Sequence, residues 1–229
     1  MEPPSATDQL IRRVASKGRV LSLGGLAVIA HGLPRNTHDA DIWIEPMESI
    51  AKWASFVGPI VYSTEGAKPV AMAVWTPIAE TDFEQVVARD GAFRINGLDR
   101  PLDIFREPNE LPIEEFDAAW GRAAELADGT RLPDEIDLLM TKQLTNRVKD
   151  AMDIEFLENK AEARFLAEIP VATEGCALEM LGRFLTPKVA EAALAHPSKS
   201  VQELGHRYLR ELAADGDPFA ADILKNLSN

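Results

Sequence analysis

The sequence predicts an α/β (α+β) protein: a small mixed sheet with flanking helices, followed by a helical C-terminal region. Three observations point there. Apolar runs of strand length stand at Val20–Leu23, at Ile42–Ile44 and within Arg100–Phe105. Other stretches carry apolar residues every three or four positions, the period of a helix with one buried face. From Glu162 onward only helical periodicity is left, punctuated by Pro170, Gly175, Pro187, Pro197, Gly216 and Pro218. The expected division is residues 1–160 as the α/β domain and residues 161–229 as the helical region.

The elements follow in order. After a tail over Met1–Ala6, a helix that Thr7 or Asp8 can cap runs through Ser16 and buries Leu10, Ile11 and Val14. Lys17-Gly18 ends it. The strand Val20–Leu23 stops at Gly24-Gly25, a short apolar helix follows, and a polar loop over Leu33–His38 leads to Asp39, Asp41 and the run Ile42-Trp43-Ile44. Glu45-Pro46 breaks that strand, and Met47–Phe56 reads as a helix bearing Ile50, Trp53 and Phe56. Two apolar runs, Ile60–Tyr62 and Val70–Trp75, suit strand and helix equally. Phe83–Ala88 and Phe93–Ile95 read as strands around Asp90-Gly91, a hairpin dipeptide. Arg100–Phe105 follows the Asn96-Gly97 turn as another strand, with Asp103 on one side and Leu102 and Ile104 on the other.

Pro112–Leu126 has helical spacing through Ile113, Phe116, Trp120 and Ala123, and Asp128-Gly129 ends it. A long helix starts near Asp134, with Ile136, Met140, Leu144, Val148 and Ala151 as its stripe. Lys142, Arg147, Lys149, Asp150 and Asp153 lie off that stripe. By spacing alone they describe a solvated face with ion pairs Arg147–Asp150 and Lys149–Asp153. Farther on, Thr186-Pro187 and Ser198 mark helix starts, and Leu204, Tyr208, Leu209 and Leu212 make an apolar stripe. His196 and His206 read as packing or surface residues.

Composition narrows the function classes. The 229 residues are 46% hydrophobic and 27% charged, ordinary for a globular chain with a sizeable core. A net charge of −13 argues against a broad, sequence-independent nucleic-acid surface, which needs a basic stripe. The single cysteine, Cys176, cannot form an internal disulfide, which suits a reducing cytoplasmic setting and disfavours a zinc cluster. No apolar run reaches the roughly 18 residues of a membrane span, and the acidic N-terminus lacks a signal-peptide core.

The chemistry concentrates at residues 24–41. On a strand, residues two apart point to the same face, so Asp39 and Asp41 project side by side. Two carboxylates that close repel unless a positive charge stands between them. Hard oxygen ligands of this kind suit Mg²⁺, which binds through one or two carboxylates together with substrate phosphates. Gly24-Gly25 offers backbone N–H groups clear of side chains, an arrangement that can receive a phosphate.

A Gly-Gly turn, a spacer and Asp-x-Asp on a strand resemble the nucleotidyltransferase superfamily, whose fold is shared with DNA polymerase β. Ala27 to Gly32, with His31 before the glycine, and Arg35-Asn36-Thr37 look like its AbiEii-like toxin branch. The segment Leu138-Leu139, Lys142 and Arg147-Val148-Lys149-Asp150 resembles a second motif of the same branch. Together these motifs cover roughly residues 19 to 160. The resemblance implies a nucleotidyltransferase-like sheet and transfer of a nucleoside monophosphate from an NTP to an acceptor, whether RNA, protein or a small molecule. It implies Asp39, Asp41 and Asp103 as catalytic and metal-binding carboxylates for two Mg²⁺ ions, with Asp82 and Asp99 as weaker rivals for the third position. Gly24, Gly25, Thr37 and Lys142 would cradle the phosphates, Arg35 would do the same or simply anchor its loop, and Arg147 and Asp150 would order the site or bind acceptor or phosphate. It also raises a toxin modifying RNA or protein, with a cognate antitoxin as partner, and a non-catalytic nucleotide-binding protein of the same fold.

Overall fold

The computed structural model describes residues 4–108, 112–143 and 147–227. Its fold class is mixed α/β, with an eight-stranded sheet and flanking helices. Two compact units divide the chain, Met1–Ile154 and Glu155–Asn229.

In the first unit, α1 (Ala6–Ala15) buries Leu10, Ile11 and Val14 as the spacing demands. Its cap is Ser5, not Thr7 or Asp8: the Ser5 hydroxyl accepts the Asp8 N–H at 3.1 Å. Thr7 lies inside the helix, buried, with its N–H donating to Asp99. Then come β1 (Val20–Leu23), α2 (Gly24–Ala30) and β2 (Ala40–Ile44). Helix α3 (Ile50–Tyr62) starts at Ser49, whose hydroxyl accepts the Lys52 N–H, and absorbs the run Ile60–Tyr62. The second ambiguous run splits between β3 (Lys68–Ala71) and an exposed tip that leads to β4 (Thr76–Pro77).

The hairpin expected over residues 83–95 is instead α4 (Phe83–Asp90) followed by β5 (Ala92–Asn96). Phe83 and Val87, four apart, are its buried face. Gly91, at φ 65°, is the left-handed C-cap of α4, a role for which Asp-Gly is as suited as for a hairpin. Strand β6 (Leu102–Phe105) stands where predicted. Helix α5 (Glu115–Arg122) ends four residues early. Asp128-Gly129 turns between the short strands β7 (Ala124–Glu125) and β8 (Arg131–Leu132), with the Asp128 carboxylate accepting the Thr130 N–H and hydroxyl.

The single long helix is also corrected. The chain makes α6 (Glu135–Gln143), a 3-10 turn over Val148–Asp150, and α7 (Ala151–Glu168). Asp134 caps α6 through the Asp137 N–H. The expected stripe does not exist as one surface. Ile136 is buried, Val148 is 94% exposed and Ala151 is exposed. Leu144 lies outside the described residues.

The sheet runs β4-β3-β5-β6-β2-β1-β8-β7, with β2–β6 and β1–β8 parallel and the other pairs antiparallel. Its main core joins Ile42, Ile44, Phe93, Ile95, Leu102 and Ile104 to α1, α3 and α4. Because side chains alternate along a strand, the opposite face carries Asp41, Arg94 and Asp103. On that face Trp43 packs edge-on against Phe116 of α5, 5.1 Å between ring centres.

The second unit is helical: the rest of α7, α8 (Glu174–Arg183), α9 (Pro187–Ala193), α10 (Lys199–Ala214) and α11 (Pro218–Leu227). Thr186 caps α9 as expected. On α10 the buried line is Val201, Gly205 and Leu209, while Leu204, Tyr208 and Leu212 are half-buried. Gly205 allows this, since a β-carbon there would meet the Ala190 carbonyl oxygen of α9 at 2.7 Å. His196 is buried and bonded to the Ala172 carbonyl, and His206 is exposed. Among the described residues, no helix is long and apolar enough to cross a membrane.

Candidate functional site

Strand register assembles the site. Leu23 of β1 lies opposite Asp41 of β2, Asp41 opposite Asp103 of β6, and Asp103 opposite Arg94 of β5. Asp41, Asp103 and Arg94 therefore form a row on three neighbouring strands, about 4.8 Å apart in the sheet. Asp39 sits just before β2, two residues from Asp41. Asp39, Asp41 and Asp103 are thus brought together, and Asp103 comes from the strand and face expected of it.

The Gly24-Gly25 turn closes one side of the row. Gly24 has φ 61°, and a β-carbon there would lie 1.9 Å from the Asp41 Oδ2. Only glycine allows both the left-handed backbone and that approach. A β-carbon on Gly25 would meet the Thr37 hydroxyl at 2.6 Å and an Arg35 guanidinium nitrogen at 3.4 Å. So Arg35 and Thr37 of the polar loop converge on the turn. The Thr37 hydroxyl donates to Asp39 Oδ1 at 3.1 Å and holds that carboxylate in place.

Arg94 is the residue that sequence reasoning missed. Its Nε and one terminal nitrogen donate to the two carboxylate oxygens of Asp103, the second bond 2.7 Å long. That terminal nitrogen also donates to Asp39 Oδ2 at 3.2 Å. A planar guanidinium suits this two-point grip. Its alternation with Phe93 and Ile95 marked Arg94 as facing away from the core. Which carboxylates it would meet depended on the strand order.

Asp41 differs from its neighbours. Among the described residues no side chain or backbone N–H donates a hydrogen bond to its carboxylate. Removal from water, then the charges of Asp103 and Asp39, push its pKa up from 3.8 to about 7, against the pull of Lys142 and Arg94. Hydrogen bonding to Asp103, and then the Asp103 charge, hold the Arg94 guanidinium above its ordinary value against the opposing effect of burial.

Lys142 is 5% exposed, not part of a solvated face. Its ammonium bonds Asp153 at 2.7 Å and lies 3.8 Å from Asp150. Arg147 bonds Asp150 at 2.8 Å, as spaced, while Arg35 pairs with Asp153. The expected Lys149–Asp153 pair is not formed: Asp153 is taken by Lys142 and Arg35, and Lys149 is exposed. This buried network ties the loop of Arg35 to the start of α7. Lys142 acts on Asp41 through its charge, with its ammonium bonded to Asp153. Of the rival carboxylates, Asp99 fastens α1 and Asp82 lies in a 3-10 turn before α4.

The chemistry of the donor set fits one hard cation at Asp39 and Asp41, since Asp41 has unused acceptor oxygens in a strongly negative setting. Asp103 accepts from Arg94 at both oxygens and Asp39 from Thr37 and Arg94, so either would meet an ion only through its remaining lone pairs, and Asp41 is the carboxylate of the three left open. Among the described residues no three His, Cys, Asp or Glu side chains are grouped as metal ligands. Compared with known proteins, the chain matches no family model and no curated protein.

Proposed function

We propose that the protein is a Mg²⁺-dependent nucleotidyltransferase, moving a nucleoside monophosphate from an NTP to an acceptor nucleophile. The observation that carries this reading is the Asp41–Asp103 row, with Asp39 beside it, facing a Gly-Gly turn that excludes side chains. Asp39 and Asp41 would hold Mg²⁺, which when bound neutralises charge on the triphosphate and the departing pyrophosphate. Thr37 orients Asp39, and Gly24 keeps Asp41 accessible at the turn. Asp103 would take the acceptor's proton on a lone pair left beside the two Arg94 bonds, as the acceptor oxygen bonds the α-phosphorus and pyrophosphate leaves. Arg94 stabilises Asp103 and adds positive charge where the reacting phosphoryl group is negative. Lys142, through its electrostatic reach to Asp41, keeps the pocket receptive to anions.

The test is incubation with each α-labelled NTP, Mg²⁺ and a cell lysate, fractionated into RNA, protein and small molecules. Label should enter one fraction with wild type and none with Asp41→Asn. Equal labelling with both proteins would refute the assignment. One observation favours a second reading, a non-catalytic nucleotide-binding protein: Arg94 bonds both Asp39 and Asp103, so a side chain already balances these two carboxylates. NTP binding without transfer to any fraction would support it.

A further inference from the structure

The chain has four tryptophans, and their burial differs sharply. Trp43 and Trp53 are 2% and 0% exposed, Trp120 is half-buried, and Trp75 is 60% exposed at the tip joining β3 to β4. An indole left in water is a large apolar surface that folding has not used. Its backbone is also unusual. Trp75 has φ 55°, a left-handed conformation that costs a bulky residue energy and that glycine or asparagine would adopt freely. Its N–H donates to the Ala71 carbonyl at 2.8 Å, fixing the tip.

A charged side chain of the site lies over the ring. The Arg94 guanidinium carbon lies 5.4 Å from the Trp75 ring centre. The same guanidinium bonds Asp103 and Asp39. Trp75 therefore stands at the rim of the aspartate row, separated from it by a single side chain.

We propose that Trp75 is the stacking platform for the base of the bound nucleotide. This rests on the nucleotidyltransferase reading and extends it to the base. A mononucleotide joins phosphates, which suit a cation site beside Arg94, to a flat π-system within a nucleoside's length. The net charge opposes a polynucleotide: at −13 the chain repels a long phosphate backbone. Stacking tolerates every base, because each has a π-face. The platform thus supplies affinity without choosing among the four NTPs.

The experiment measures binding by calorimetry and tryptophan fluorescence, in excess Mg²⁺, for ATP and for inorganic tripolyphosphate, which has no base. Wild type, Trp75→Ala and Trp75→Phe are compared, with ligand-free melting curves confirming that each variant folds. Trp75→Ala should raise the Kd for ATP about tenfold and leave that for tripolyphosphate unchanged. Trp75→Phe should restore most of the ATP affinity, and ATP but not tripolyphosphate should quench the exposed indole of wild type. Equal losses for both probes, or no loss for ATP, would overturn the platform while leaving the nucleotidyltransferase reading in place. Failure of wild type to bind either probe would overturn both.

Discussion

Replacing Asp41 by asparagine should stabilise the ligand-free protein and remove its response to Mg²⁺ and NTP. Asparagine keeps the shape of the side chain and deletes its charge. In the folded protein Asp41 holds its proton up to about pH 7, against 3.8 ordinarily. A carboxyl whose folded pKa is raised contributes stability while protonated, at low pH. It loses that contribution as pH climbs from about 4 through 7. The difference corresponds to a cost of about 4 kcal/mol for keeping Asp41 ionised at pH 8. The neutral variant escapes that cost. For a unit of this size it should melt on the order of 10 °C above wild type at pH 8. More than half of the gap should close by about pH 5, as wild type regains its proton. Melting curves at pH 5, 6, 7 and 8 read this directly. Mg²⁺ with NTP should then raise the wild-type midpoint by mass action and leave the variant where it was. A variant that melts below wild type at pH 8, with neither protein responding to Mg²⁺ and NTP, would refute the reasoning and make Asp41 a structural residue.

Three further substitutions probe the surroundings. Gly24→Ala should cost about 2 kcal/mol or more, from the left-handed backbone and the clash with Asp41, and Asp41→Ala in the same chain should recover part of it; urea unfolding of the single and double variants measures the coupling. Arg94→Met leaves the buried Asp103 without its partner and should lower stability at pH 7 by about 3 kcal/mol, whereas an unchanged urea midpoint would show the grip on Asp103 to be dispensable. Lys142→Ala should do comparable damage, about 3 kcal/mol, because it strips Asp153 of one of two cations in a buried setting. A variant folded as firmly as wild type would return Lys142 to the role of a ligand-facing cation with little structural part.

The elements around the turn were legible because their signals are local. Val20–Leu23, Gly24-Gly25 and Ile42–Ile44 each announce a strand, a turn and a strand without help from distant residues. Residue alternation likewise put Asp103 on the face away from Leu102 and Ile104, where the fold has it. Helix α4 was misread because Phe83, Val86 and Val87 are strand-favouring types in a segment too short to show its period. Its Asp90-Gly91 end supplies a left-handed glycine, which hairpins and helix caps both use. The break between α6 and α7 was hidden for the opposite reason. Val148 continues an apolar spacing that tertiary packing never uses. The partners of Arg94 and Asp153 were not legible because a partner 9 or more residues away along the chain is fixed by strand order and loop path. Neither is written in the spacing of the residues themselves.

The register of β2 has a consequence for how this chain can change length. Ala40, Ile42 and Ile44 face the core, while Asp41 and Trp43 face the other way. A slip of one residue against β6 would turn Asp41 into the hydrocarbon interior and move Ile42 and Ile44 to the face of the carboxylate row. The same ladder indexes the packing and the carboxylate row, so neither can drift while the other is kept. Insertions and deletions are confined to segments outside that ladder, such as residues 33–38 and the tip that carries Trp75. There the chain can lengthen or shorten while Asp41 and Asp103 remain opposite each other.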